Sequence, residues 1–126
     1  MIEKYVYHTM SSSERALVMN KIREMLQKES IRLAIIFGSF IELNSFRDID
    51  IAVYFRDEVS MDEMIKLANK LEEALGIPVD IVPLDEVEPR FRLNILRKGV
   101  VIIEEPGVYE AILMQTLDEL YMLSHG

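Results

Sequence analysis

Asp48 and Asp50 stand two residues apart, with Ile49 between them. In an extended strand, residues i and i+2 share a face, so both carboxylates point one way while Ile49 points to the core. Side-by-side carboxylates repel, and each raises the other's pKa unless a cation sits between them. Oxygen donors of this kind suit Mg²⁺, which binds through a few carboxylates plus substrate phosphates. Taken alone, the pair also reads as two solvated acids at a strand entrance. Gly38-Ser39 lies just upstream, directly after the most apolar stretch of the chain. Glycine lets a ligand approach the backbone, and exposed amides with the Ser39 hydroxyl can hold phosphate oxygens; taken alone, the pair is a plain turn. Asp80 interrupts the apolar run Val79-Asp80-Ile81-Val82, where an acid needs a reason. It is either an outward-facing residue of an edge strand or, if that strand lies beside the Asp48–Asp50 strand, a third carboxylate. In the second case it could bind a second metal and activate an attacking hydroxyl. Amides for a triphosphate, paired carboxylates for Mg²⁺ and a third for the nucleophile are together what nucleotidyl transfer needs.

The surrounding pattern supplies elements to position these groups. Ile31 to Phe37 is continuously apolar near its end and bounded by Gly38, which predicts a buried central strand. A polar stretch follows, with Asn44 and Ser45 as turn formers, and Ile49 to Phe55 is a second strand. Ser11 with Glu14, and Ser60 with Glu63, have capping-box spacing and predict two helix starts. The first helix runs to about Glu29 with Val18, Ile22, Met25 and Leu26 on its inner face. The second presents Met61, Met64, Ile65, Ala68, Leu71 and Leu75, and ends at Gly76 before Pro78. Val79 to Val82 reads as a strand, Pro89 to Lys98 as a helix with Gly99 as its C-cap, and Val100 to Ile103 as a strand. After Pro106-Gly107, Val108 to Leu123 is a last amphipathic helix. The order α-β-β-α-β-α-β-α predicts an α/β (α+β) fold: a mixed sheet of about four strands with helices packed on it.

Ile35-Ile36-Phe37-Gly38-Ser39 followed by Asp48-Ile49-Asp50-Ile51-Ala52-Val53 resembles the signature of the DNA polymerase β nucleotidyltransferase superfamily, in its minimal (MNT) branch. Val79-Asp80-Ile81-Val82 is similar to that family's third-carboxylate strand, and Leu93 to Ile102 to the helix and strand that follow. The likeness covers about residues 31–104. It implies a polymerase β-like fold, and residues 1–126 as a single minimal nucleotidyltransferase domain. It implies that Asp48, Asp50 and Asp80 are catalytic and bind metal, and that Gly38 and Ser39 hold the triphosphate. It further implies Mg²⁺, ATP as substrate, and a protein partner: many MNT proteins are antitoxins of HEPN-type ribonuclease toxins, and some place AMP on a toxin tyrosine. Two departures from the pattern are visible. Only eight residues, Phe40 to Arg47, separate Gly38-Ser39 from Asp48, a shorter loop than is usual, and Phe40 stands where a basic residue is common. Arg47, beside Asp48, is either a substitute phosphate contact or a solvated loop arginine. Two functions follow: AMP transfer to a protein partner, or a binding module of weak or absent activity that neutralises a partner by contact. The intact carboxylates favour the first and the short loop the second. Small-molecule transfer is less expected, because such relatives usually carry an added helical domain for the acceptor.

Composition narrows the classes further. The chain of 126 residues carries a formal net charge of −8 with half its residues hydrophobic, which predicts one globular domain. An acidic surface repels phosphate backbones, so direct DNA or RNA binding is not expected; a basic protein partner is compatible. There is no cysteine, which excludes thiolate catalysis and disulfides and fits the cytoplasm. No leader is visible in Met1–Met10 and no apolar run is long enough to span a membrane. His8 and His125 have no partner at ligand spacing and read as solvent-facing. Arg90, Arg92, Arg97 and Lys98 read as a solvated helix face or, alternatively, a partner or phosphate contact. The stripe Val108, Ala111, Ile112, Met114, Leu117, Leu120 and Tyr121 reads first as core packing and second as a protein interface, and an oligomer is possible.

Overall fold

A computed structural model describes residues 6–125; the reading of Met1–Met10 rests in part on residues 1–5, outside the described residues. The elements run β1 (His8–Thr9), α1 (Ser12–Leu26), β2 (Ile31–Phe37), α2 (Ser39–Glu42), β3 (Ser45–Phe46), β4 (Ile49–Phe55), α3 (Met61–Leu75), β5 (Val79–Pro83), α4 (Pro89–Lys98), β6 (Val100–Glu104) and α5 (Val108–His125). Four strands form one mixed sheet in the order β5-β4-β2-β6. β2 pairs antiparallel with β4 and with β6, while β4 and β5 run parallel. The expected mixed sheet is therefore present. From Leu33 to Phe37, β2 reads as an unbroken apolar run because both of its faces are covered. Ala34 and Ile36 join a cluster with Ile22 and Leu26 of α1 and Leu67, Ala68 and Leu71 of α3. Leu33 and Ile35 join another with Ile95 and Leu96 of α4 and Ile112 of α5. Two helices thus cover each face of the sheet.

Both capping boxes form: Ser11 N–H donates to Glu14 Oε1 at 2.9 Å and Glu14 N–H returns to Ser11 Oγ at 3.2 Å, with the equivalent pair at Ser60 and Glu63. The α3 stripe is shifted in part from the expected one. Ala68, Leu71 and Leu75 pack into the core as expected, joined by Leu67, while Met61 and Ile65 are 71% and 52% exposed. The stretch 39–47 is not merely polar. It holds α2 and the two-residue β3, which pairs with β1, and it buries Phe40 and Phe46 with their rings 4.8 Å apart in a T-shape. Gly99 ends α4 in an extended conformation. What requires glycine there is crowding, since a Cβ would lie 2.3 Å from the Ile35 side chain.

Two further expectations are overturned. Arg92 is not on a solvated face. It is buried, donating to the carbonyls of Leu84 (3.0 Å) and Val87 (2.9 Å), to the Thr116 hydroxyl (3.2 Å) and to Glu119 (3.1 Å). A guanidinium can enter the interior when its donors are this fully used. On α5 the core reading holds for Val108 and Ile112, which pack into the core, with Thr116 buried beside them. Met114, Leu117, Tyr121, Met122 and Leu123 are exposed. Among the described residues, no helix is long and apolar enough to cross a membrane.

Arg92 ties α4, α5 and the segment after β5 together, so Arg92→Met leaves several buried acceptors without a donor. We expect a loss of about 3 kcal/mol in unfolding free energy, read as a lower denaturant midpoint at unchanged m. A loss below about 0.5 kcal/mol, the scale of surface substitutions, would contradict the clamp.

Candidate active site

β4 alternates strictly. Ile49, Ile51 and Val53 enter the core under α1 and α3, while Ala52 belongs to the cluster under α4 and α5. Asp48 and Asp50 share the parity of Ala52 and so lie on the α4–α5 face of the sheet. Parallel pairing of β4 with β5 sets Asp50 directly against Asp80, whose parity matches Val82 on that same face. Asp48, Asp50 and Asp80 each bring a carboxylate oxygen within 4.8 Å of the others'. Ile49 is fully buried behind them, as the spacing of the two aspartates predicts.

Gly38 closes the cluster from β2. Phe37 pairs with Asp50 across the antiparallel ladder, and the chain turns at Gly38 with φ +82°. A Cβ at Gly38 would lie 2.6 Å from Asp50 Oδ2. The glycine therefore serves two needs, a left-handed backbone and room for a carboxylate. Ser39 opens α2, where Ile41 N–H and Glu42 N–H both donate to Gly38 O at 3.0 Å, and the N–H groups of Ser39 and Phe40 precede the first bond of the turn. Arg47 is exposed, with its guanidinium 5.7 Å from the Tyr7 ring centroid. None of the ion pairs formed among the described residues involves Arg47. His8 is half-buried against Phe46, and His125 is exposed and stacked on Tyr121.

The electrostatics identify the strained member. The Asp50 carboxyl is pushed up to about 6, first by burial and then by the charges of Asp48 and Asp80. Three hard oxygen donors that repel one another in a partly desolvated corner fit a divalent cation such as Mg²⁺, whose charge would relieve both causes. A groove of about 500 Å³ between α3 and β5, lined by Met64, Ile65 and Ile81, reaches Asp80. A second groove, of about 820 Å³, lies along α5, lined by Met114, Asp118, Met122 and Leu123 and by none of the carboxylates of the cluster. Sequence reasoning missed Arg15, whose guanidinium holds the 39–46 segment (Phe40 O, and Asn44 O at 2.7 Å). No local spacing could have revealed a contact across so much intervening chain.

The sequence matches the family described as polymerase beta, nucleotidyltransferase over residues 20–106. A candidate protein adenylyltransferase of Methanocaldococcus jannaschii is 33% identical over 68% of this chain and 95% of its own. The protein adenylyltransferase MntA of Thermococcus cleftensis is 29% identical over 75% of this chain and 96% of its own. Among solved structures, a chain of a toxin–antitoxin complex with AMP-PNP superposes with TM-score 0.76 at 27% identity, covering 85% of this chain and 90% of that one. A chain from the complex of tri-AMPylated Shewanella oneidensis HEPN toxin with MNT antitoxin gives TM-score 0.75 at 26% identity, covering 88% and 90%.

A raised carboxyl pKa has a defined consequence for stability. Because Asp50 sits at about 6 in the folded chain against 3.8 as its ordinary value, the folded state holds the extra proton between those limits. Stability present below that window is lost as pH rises through it. In metal-free buffer, Asp50→Asn should therefore melt higher than wild type at neutral pH, and the difference should vanish near pH 4. Parallel curves for the two proteins across the whole range would rule out the strain assigned to Asp50.

Proposed function

Because this chain belongs to the polymerase beta nucleotidyltransferase family, we propose that it transfers AMP from ATP to a hydroxyl group of a protein partner, in the manner of an antitoxin acting on a HEPN-type toxin. We read residues 1–126 as one minimal domain of that kind. The observation that carries the reading is the convergence of Asp48, Asp50 and Asp80 beside Gly38 and Ser39. In this reading Asp48 and Asp50 hold Mg²⁺, Asp80 completes the set, and the Ser39 hydroxyl with the first amides of α2 holds the triphosphate. When bound there, Mg²⁺ supplies charge neutralisation to the carboxylates and to the triphosphate oxygens.

The chain's own groups then do the following. The Gly38 turn holds phosphate close to Asp50. Asp80 is the most exposed carboxylate of the three and stands on the edge strand β5, where an acceptor side chain can reach it. The acceptor oxygen bonds to the α-phosphorus, the bond from that phosphorus to its bridging oxygen breaks, and pyrophosphate leaves. The acceptor proton passes to Asp80 as general base. Arg47, beside Asp48 and with its guanidinium 5.7 Å from the Tyr7 ring centroid, is the candidate side-chain contact to phosphate on this loop.

The partner is supported by α5. Its exposed Met114, Leu117 and Tyr121 recur at helical spacing next to Asp118. The chain carries a net charge of −8, which favours a basic-rimmed apolar surface on the partner and disfavours docking of a second copy. The same face favours the second reading, neutralisation by contact alone.

One experiment separates the two. In the complex co-purified from its source, α-labelled ATP with Mg²⁺ should label the partner, and Asp48→Asn with Asp50→Asn should reduce labelling at least about a hundredfold, the scale of losing a metal's charge stabilisation. The double variant should still bind the partner. If it also neutralises the partner fully, contact suffices; if wild type leaves the partner unlabelled with every common nucleoside triphosphate, the transferase reading fails. A separate expectation concerns the docking face. Leu117→Asp should release the partner while leaving the melting temperature within a few degrees, since an exposed residue contributes little to folding. Retention of the partner by that variant would move the interface away from α5.

A further inference from the structure

The segment between Gly38 and Asp48 has two demanding ends. Ser39 begins it and Asp48 follows it, so the proposed nucleotide contacts and one metal ligand hang on a single short loop. Buried Phe40 and Phe46 anchor this loop in the core, but its regular elements are short. α2 has four residues and β3 two, with β3 paired only to the two-residue β1. Elements this short do not form from their own hydrogen bonds.

Arg15, in the first turn of α1, meets this loop. Its Nη1 donates to Phe40 O, its Nη2 to Asn44 O at 2.7 Å, and its Nε to Met10 O at 3.2 Å. The same guanidinium lies 5.4 Å from the Phe40 ring centroid and 5.1 Å from that of Phe46. One planar fork therefore binds both sides of the turn and both aromatic rings inside it. A guanidinium, unlike an ammonium, offers a rigid fork of donors and a flat face together. The chain has no basic residue directly after Ser39, and Arg15 brings a positive charge to that loop from outside it.

We propose that Arg15 is a positioning residue for nucleotide binding: it clamps the 39–46 turn so that Ser39 and Asp48 are held at the spacing a bound triphosphate requires. The proposal rests on the nucleotide-transfer reading above. Arg15 touches no substrate and acts through the loop.

The test compares wild type with Arg15→Met, Arg15→Lys and Arg23→Met. Arg23 is the control: it also lies on α1 and binds a carbonyl, that of Ile102 at 3.0 Å, on β6 rather than on the loop. Affinity for Mg²⁺ with AMP-PNP is measured by calorimetry, and amide exchange is followed over residues 38–48 and over β2. Arg15→Met should weaken nucleotide binding by about tenfold or more, as expected for displaced binding groups, and should raise exchange in 38–48 while β2 stays protected. Arg15→Lys, which keeps the charge but reaches one carbonyl at a time, should fall between. Arg23→Met should leave both readouts near wild type. If Arg15→Met binds the nucleotide as wild type does, or if Arg23→Met loses as much, the clamp has no positioning role. If wild type itself binds no nucleotide, the transferase reading fails and the positioning role falls with it. Should Arg15→Met fail to fold, Arg15→Lys decides: undiminished affinity with a quiet loop overturns the proposal.

Discussion

Parallel pairing of β4 with β5 forces Asp50 against Asp80, and strand alternation brings Asp48 to the same side. Three acids within 4.8 Å of one another cannot all be comfortable. The neighbouring elements push in the same direction. Ile49 and Ile51 pull β4 firmly into the core, and Gly38 packs so close to Asp50 that not even a methyl group fits between them. The burial that follows is the first cause of the raised Asp50 carboxyl. Hydrophobic packing on one face of β4 thus holds charge in place on the other. A carboxyl held in this way is the kind of perturbed group that gathers at functional sites.

The rest of the molecule can be understood as the means of holding that corner open and rigid. The sheet is covered on both faces through its middle, by α1 and α3 on one side and α4 and α5 on the other. The carboxylates lie toward one end of the strands, where β4 and β5 begin and β2 ends. Arg92 fastens α4 to α5 and to the chain leaving β5, which is the strand that carries Asp80. Arg15 fastens the turn that joins Gly38 to Asp48. Two arginines, one on α1 and one on α4, therefore fasten the loop beside the cluster and the segment that leaves β5 at its far end.

The four strands of the main sheet, both capping boxes and the common face of Asp48 and Asp50 were legible in the sequence because each rests on a short-range rule: alternation, a four-residue box, or a run between breakers. The juxtaposition of Asp80 was legible only as a condition, since strand order is a long-range property; the parallel β4–β5 register meets that condition. α2 and β3 were not legible. Their stability comes from Phe40 and Phe46 meeting inside the core and from a guanidinium on another helix, and neither leaves a local period. Arg92 was misread for a related reason, because the carbonyls that satisfy it belong to a turn after β5 and carry no compositional mark. On α5 a seven-residue stripe could not tell which of its members would find a neighbour. Ile112 did, while Met114 and Leu117 did not.

The central claim is that Asp48, Asp50 and Asp80 form a site whose mutual repulsion is relieved by a divalent cation carrying a nucleotide. The most direct measurement is the melting temperature of the folded chain with Mg²⁺ and AMP-PNP, beside a variant in which all three aspartates are asparagine. At about 100 times the dissociation constant, wild type should gain roughly 2.7 kcal/mol of stability and melt higher, while the triple variant should gain nothing. An unchanged melting temperature for wild type at millimolar ligand, or an equal gain in the triple variant, would contradict the account.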